Sequence, residues 1–433
     1  MKHMTKWQWV LLQTARRLWV RAALIGALGV AAAILATLAE TVVPWELGVD
    51  IRAEAVDSIL SIIASSMLAV TTFSLSVMTS AYQSATSNAT PRATKLLIQD
   101  NISQTVLSTF VGSFLFSIVG LIVLKTGAYG PQGRAVLFAV TIIVIALIVV
   151  SLLRWIDYLT QLGRVENAAD QVEEATRTAL QSRLATPYLG SNPLREDTVI
   201  PSDAVSVYPS RIGYIQHIDM PHLSACIGER EAAIYFLVDP GSFVFPDTPM
   251  ARFHISQTGT DRDDMDRLCS AIQKAVIIKD ERSFDQDPRF GLCVLSEIGM
   301  RALSPGINDP GTAIDVIGRL TRLLHVWAKR GCGDRDEGSI GGEGHAVYDN
   351  IFVPPLTSAD LFDDAFNLLA RDGDKQIEVQ LRLRKSLKAL SRLGDHAFRR
   401  AAQEQAALAL KRAQAGLVIE DDKARLEAIV MTK

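Results

Sequence analysis

Residues 135–153 read AVLFAVTIIVIALIVVSLL, and this stretch decides the fold. It contains no Asp, Glu, Lys or Arg. A bilayer core of about 30 Å needs about 20 mostly apolar helical residues, and this run meets that length. Working outward, equally uncharged runs lie at 102–124, at 58–81 and at 22–39, the last reading AALIGALGVAAAILATLA. One such run fits a buried helix of a soluble protein; four in succession predict a membrane domain over 1–153. A secretory signal peptide is the rival reading of the first run. The long region before it, and Leu38, which breaks the small-x-small cleavage pattern ahead of Glu40, favour a retained helix.

Loop charge predicts the topology. Lys2, Lys6, Arg16, Arg17 and Arg21 precede the first helix without an acid, and Arg92 and Lys95 stand against Asp100 between the second and third. The positive-inside rule places both regions in the cytoplasm. The first loop carries Glu40, Glu46, Asp50, Glu54 and Asp57 against Arg52 and is expected outside. Lys125 and Arg134 in the third loop run weakly against this pattern. Four crossings of the cell membrane leave both termini cytoplasmic. Trp19, Trp45 and Trp155 fall near the helix ends, where the indole ring prefers the interface, and KWQWVLLQTARRLW, with Trp7 and Trp9, suggests an interfacial helix.

The second membrane helix is polar along one side: SILSIIASSMLAVTTFSLSVMTSAYQSATSNATP, residues 58–91. Ser58, Ser61, Ser65, Thr72, Ser76, Thr79 and Gln83 recur at spacings of three, four or seven and share one helical stripe. Ile59, Ile63, Val70, Leu75 and Val77 are expected opposite. Small hydroxyl residues let helices approach closely and bond to each other or to their own backbone. The same stripe also suits the wall of a water-filled path. It would lie below an acidic outer mouth of Glu40, Glu46, Asp50, Glu54 and Asp57 that concentrates cations.

The chain beyond Arg154 reads as a cytosolic α+β domain. Leu159, Leu162, Val165, Ala169, Val172, Ala175, Ala179 and Leu184 keep helical spacing up to Pro187. They predict an extension of the fourth membrane helix over 154–187, a rod of about 75 Å when counted from Ala135. A small β-rich unit is expected over 188–255, with turns at Asp239-Pro240-Gly241 and Phe245-Pro246-Asp247. A helical region follows over 256–433. It begins with a helix through Leu268, Ile272 and Val276, and VYDNIFVPP is its one strand-like run.

Within that region, SPGINDP (304–310) reads as stop-turn-start punctuation. Ser304-Pro305-Gly306 fits a turn, and Asp309 caps a helix with Pro310 at its first position. Asn308 beside Asp309, with Arg301 and Asp287, makes this either a structural turn or a candidate ligand pocket. The cysteines Cys226, Cys269, Cys293 and Cys332 form no CxxC pair, and the histidines show no ligand spacing, so neither a metal nor a cofactor is expected.

Several of these stretches resemble one family. SNATPRATKLL, VLSTFVGSFLF, IGYIQHID, PGSFVFPDTPMARF and above all DQDPRFGLCVLSEIGMRALSPGINDPGTA are similar to the predicted bacterial membrane proteins grouped as domain of unknown function 2254. The similarity runs nearly end to end. SNATPR stands where Ser-Gln-Phe-Ser-Pro-Arg is more usual, and Gly311 where a bulky residue is commoner. The resemblance implies the architecture and carries no activity.

A net charge of −3 gives no reason to expect a nucleic-acid partner. No nucleophile elbow, phosphate-binding glycine loop or metal motif is present, so no enzyme is expected. The expected function is a homo-oligomeric, cation-preferring ion channel, with lipid, inorganic ions and copies of itself as partners. A non-conducting membrane-anchored sensor or scaffold is the alternative, and a transporter the third reading.

Overall fold

The computed structural model describes residues 18–35, 53–98, 100–228, 231–256, 262–329 and 346–431. The chain divides into two compact units, one within 10–87 and 94–168, the other formed by 88–93 with 169–433.

The first unit is helical: α1 (Leu18–Leu35), α2 (Ala53–Asn88), α3 (Pro91–Ile98), α4 (Asn101–Lys125) and α5 (Pro131–Gln161). Three of these, over Ala53–Ser87, Ile102–Lys125 and Pro131–Gln161, are long and apolar enough to cross a membrane. Among the described residues α1 has 18, a length of about 27 Å at 1.5 Å per residue, slightly short of the bilayer core. It packs along α4 through glycines. A Cβ on Gly26 would meet Leu115 Cδ1 at 2.6 Å, and one on Gly112 would meet Ile25 Cγ2 at 2.6 Å. Small residues at such points let two membrane helices approach closely where no hydrophobic effect drives them together. Of the tryptophans expected at the interface, Trp155 is instead 2% exposed and stacked on Tyr158, because α5 turns that face into the bundle. Trp7, Trp9 and Trp45 lie outside the described residues.

The predicted rod from Ala135 to Ala185 is broken. α5 ends at Gln161, and α6 (Val165–Ala185) starts afresh. Leu162 is extended (φ −68°, ψ 135°) and Gly163 sits at φ +83°, a left-handed conformation glycine adopts without steric cost. Apolar spacing on both sides kept helical phase and concealed the glycine stop.

The second unit holds two sheets. A five-stranded sheet has the order β1-β8-β4-β6-β2, from Ser191–Pro193, Tyr348–Val353, Ala232–Phe236, Ala251–Ile255 and Val205–Val207. A three-stranded antiparallel sheet has the order β5-β3-β7, from Phe243–Val244, Gly213–Ile218 and Val276–Lys279. The β region therefore extends beyond 188–255: β7 and β8 come from outside it. β8 lies between β1 and β4, in parallel with both. The helix expected to run through Val276 stops at Ala275, because Val276 pairs with Ile218 as the first residue of β7. A short helix, α7 (Met220–Ile227), follows β3, and α8 spans Arg262–Ala275. Ile215, Ile234, Phe236, Phe253, Leu268, Ile272 and Ile351 form the core of this part.

The helical remainder comprises α9 (Pro288–Ala302), α10 (Pro310–Ala328), α11 (Ser358–Asp372), α12 (Ile377–Leu390), α13 (His396–Gly416) and α14 (Glu420–Glu427). Two Asp-Pro steps start helices here. Asp287 caps α9 by accepting from Phe290 N, and Asp309 caps α10 by accepting from Thr312 N, each followed by proline in the first turn.

Candidate functional site

The polar stripe of the second membrane helix lies on α2, and its orientation is clear within its own unit. Ser58, Ser61, Ser65, Thr72, Ser76, Thr79 and Gln83 are all exposed, while Ile63, Met67 and Met78 are buried against the other described helices. Ser58, Ser65, Thr72 and Thr79 repeat at intervals of seven, so they form one column that drifts only slowly around the helix. Each of these four hydroxyls donates to the carbonyl of the residue four earlier, at 2.9 Å. The column is flanked by Ile62, Leu68 and Phe73, all more than half exposed. Leu75, expected on the opposite side, shares this exposed face at 51%, because seven residues after Leu68 returns the helix to the same face.

The hydroxyls that do pack between helices of this unit are different ones, which the stripe did not reveal. Ser74 on α2, Ser103, Ser108 and Ser117 on α4, and Thr141 on α5 are fully buried. On α4, Ser103 and Ser117 stand two heptads apart and so share a face, which is the signal the sequence held for them. Intramolecular packing therefore accounts for these residues and leaves the α2 column unaccounted for.

Of the acidic mouth, Glu40, Glu46 and Asp50 fall outside the described residues. Glu54 is exposed in the first turn of α2. Asp57, one turn on, lies 3.9 Å from Lys125 Nζ at the end of α4, so this acid is partly offset by a cation.

The turn residues do not converge. Asp287 stands at the start of α9, and Arg301 in its last turn, with Ser304, Asn308 and Asp309 just beyond, lies at the other end, about 20 Å away along fifteen helical residues. Ile307 N donates to Ser304 O at 3.0 Å, closing the expected turn, and Asn308 takes a left-handed φ of +49°. Asn308 Oδ1 accepts from Gln376 Nε2 at 3.3 Å. Thr312 donates to both Asp309 oxygens, and these bonds hold the Asp309 carboxyl below the usual carboxylate range. This is a helix cap and turn.

Asp287 belongs to a different place, a polar cavity of about 160 Å³ between the Asp239-Pro240-Gly241-Ser242 turn and the start of α9. Arg282 Nε and Nη2 donate to the two Asp287 oxygens at 2.7 and 3.0 Å. Burial pushes the Asp287 carboxyl up, and Arg282 pulls it back in part. Gly241 (φ +94°) packs on this carboxylate so closely that a Cβ there would lie 2.2 Å from Asp287 Oδ2. Across the cavity, Arg183 Nη2 donates to Asp239 Oδ1 at 2.9 Å. Arg289 is held by Asp364, with Nε–Oδ2 at 2.6 Å. Among the described residues no group of His, Cys, Asp and Glu is arranged to hold a metal.

A helical membrane unit joined to an α+β unit is the architecture of a multi-helix membrane protein. The chain belongs to the family of predicted membrane proteins grouped as domain of unknown function 2254, which matches residues 15–389. It is also similar to uncharacterized proteins of Mycobacterium bovis and Mycobacterium tuberculosis, each 26% identical over 360 residues. The match covers 81% of this chain and 66% of each relative, so the chain spans just under two thirds of their length. No solved structure matches.

Proposed function

We propose that the protein is a homo-oligomeric ion channel of the bacterial inner membrane, cation-preferring, in which α2 of each copy lines the path. The carrying observation is the hydroxyl column of α2, exposed on its own protomer. A polar column along a membrane helix is better matched to water or a neighbouring copy than to lipid chains. In this reading α1 completes a fourth crossing, both termini are cytoplasmic, and the second unit senses or gates. Cation preference rests on the absence of any basic side chain along the column and on Glu54 and Asp57 at one end of α2. Hydroxyls replace part of an ion's hydration without trapping it. No enzymatic role is assigned.

One observation favours the alternative, a non-conducting anchored sensor or scaffold. The column hydroxyls that bond back to their own carbonyls are already satisfied, and a serine so bonded sits in lipid at small cost. Nothing comparable favours a transporter. The test is cation efflux from liposomes carrying the purified protein, with its oligomeric state in detergent measured by native mass spectrometry. The proposal expects efflux and a multimer; a monomer without efflux under varied pH, calcium and voltage sinks it in favour of the anchored sensor.

A further inference from the structure

The cavity beside Asp287 has features that a purely structural ion-pair cluster does not need. Its lining brings three guanidiniums, of Arg183, Arg282 and Arg289, to two carboxylates, of Asp239 and Asp287. Arg282 is fully committed: both of its donating edges face Asp287 and Cys293 Sγ, and its plane lies over the Phe290 ring. The other two retain capacity. The Arg183 side chain is only 6% exposed, and while Nη2 serves Asp239, Nη1 is buried without a partner. Arg289 Nη1 has only Asp360, partly exposed and 3.3 Å away. Ser242 adds a hydroxyl to the wall.

A buried guanidinium nitrogen with an unmade hydrogen bond is costly, and oxyanions satisfy guanidinium forks best. A cation is disfavoured, since both lining carboxylates already accept from arginine, and the further acids here, Asp364 and Asp360, are taken up by Arg289. About 160 Å³ admits a single small group rather than a nucleotide. The cavity walls also come from two of the stretches that carry the family resemblance, PGS at 240–242 and DQDPR at 285–289, brought together by folding.

We infer that this cavity binds a small free oxyanion of the phosphate class, held by Arg183, Arg289 and the Ser242 hydroxyl. The site goes beyond the channel reading and does not depend on it, because binding is read without any flux. The test uses the full chain in detergent, titrated with inorganic phosphate against chloride at matched ionic strength, and followed by melting temperature and calorimetry. Wild-type protein should show a saturable phosphate-specific rise in melting temperature. Arg183→Gln, which keeps an amide able to donate to Asp239, should weaken binding roughly tenfold or more. Ser242→Ala leaves every ion pair intact and should weaken it severalfold, which keeps the test valid if Arg183→Gln folds poorly. Arg211→Gln, at the exposed Arg211–Asp280 pair, should bind like wild type. A short-chain phosphatidic acid offers the same group on a lipid. Response to that lipid alone, no saturable phosphate effect, or equal binding by wild type, Arg183→Gln and Ser242→Ala would each overturn the inference.

Discussion

Replacing Glu173 by glutamine removes the charge that ties α6 to α10. Glu173 has a side chain 9% exposed and accepts from Arg177 at 2.8 Å, from Arg322 at 2.9 and 2.7 Å, and from Arg319 at 3.2 Å. Removing one partner of a buried ion pair costs about 3–5 kcal/mol when the other is left stranded. Here Arg319 is the only deeply buried partner, and it keeps Asp170 and Asp315. Arg322 and Arg177 reach solvent, so the loss should fall to about 2 kcal/mol. At about 2–4 °C per kcal/mol for a unit of this size, the melting temperature should drop by roughly 4–8 °C. Burial pushes the Glu173 carboxyl up, but Arg322, Arg319 and Arg177 outweigh it and hold the group below its ordinary value. A depressed folded value contributes stability above the unfolded value of about 4.3 and loses it as pH falls through the folded one. Differential scanning fluorimetry from pH 8 downward should therefore show a constant gap between wild type and Glu173→Gln to about pH 5, narrowing only below about pH 4. A variant as stable as wild type, or a gap that closes between pH 8 and about 5, would refute this reasoning.

Three further outcomes follow from particular contacts. Asp309→Ala should lower stability by about 1 kcal/mol while Asp309→Asn or Ser stays mild, because the side chain caps α10; melting temperatures check this, and function lost in Asp309→Asn at normal stability would mark a ligand instead. Gly291→Ala should cost about 1–3 kcal/mol, since its Cβ would fall 1.8 Å from Thr176 Oγ1, and Thr176→Ala in the same chain should restore part of the loss in a denaturant melt. Reporter fusions at positions 45 and 433 should report opposite sides of the membrane; finding both on one side would remove the four-crossing topology.

The membrane helices were legible because lipid imposes a simple rule, a long run without charge, and α2, α4 and α5 each carry one. The helix start at Asp309 was legible for a similar reason, since a capping carboxylate followed by proline acts locally, whereas the same Asp-Pro step at Asp287 was read as part of a pocket. What a local pattern does not specify is which side of a helix meets its neighbours. The α2 stripe was visible as a stripe, but its exposure, and the burial of Ser74 one position from Leu75, depend on how α4 and α5 pack. The break at Gly163 was masked by apolar residues that kept helical phase across it. Strand β8 was visible as VYDNIFV, yet nothing near it indicated pairing with β1 and β4, more than a hundred residues earlier. The cavity was beyond reach for the same reason: Arg183, Asp239 and Asp287 meet only through folding, and Asp287 was grouped with residues at the far end of its own helix.

The central claim is that the α2 column faces the conducting path, and cysteine accessibility tests it most directly. In a chain whose native cysteines have been replaced, cysteine is placed at positions 65 and 72 on the exposed column, and at 63 and 70 on the side turned toward the other helices. In proteoliposomes, water-soluble thiol reagents should modify positions 65 and 72 and reduce cation flux, with 63 and 70 silent. Flux untouched by modification along the column would contradict the account and move the path to another helix, first of all α4 with its buried serines.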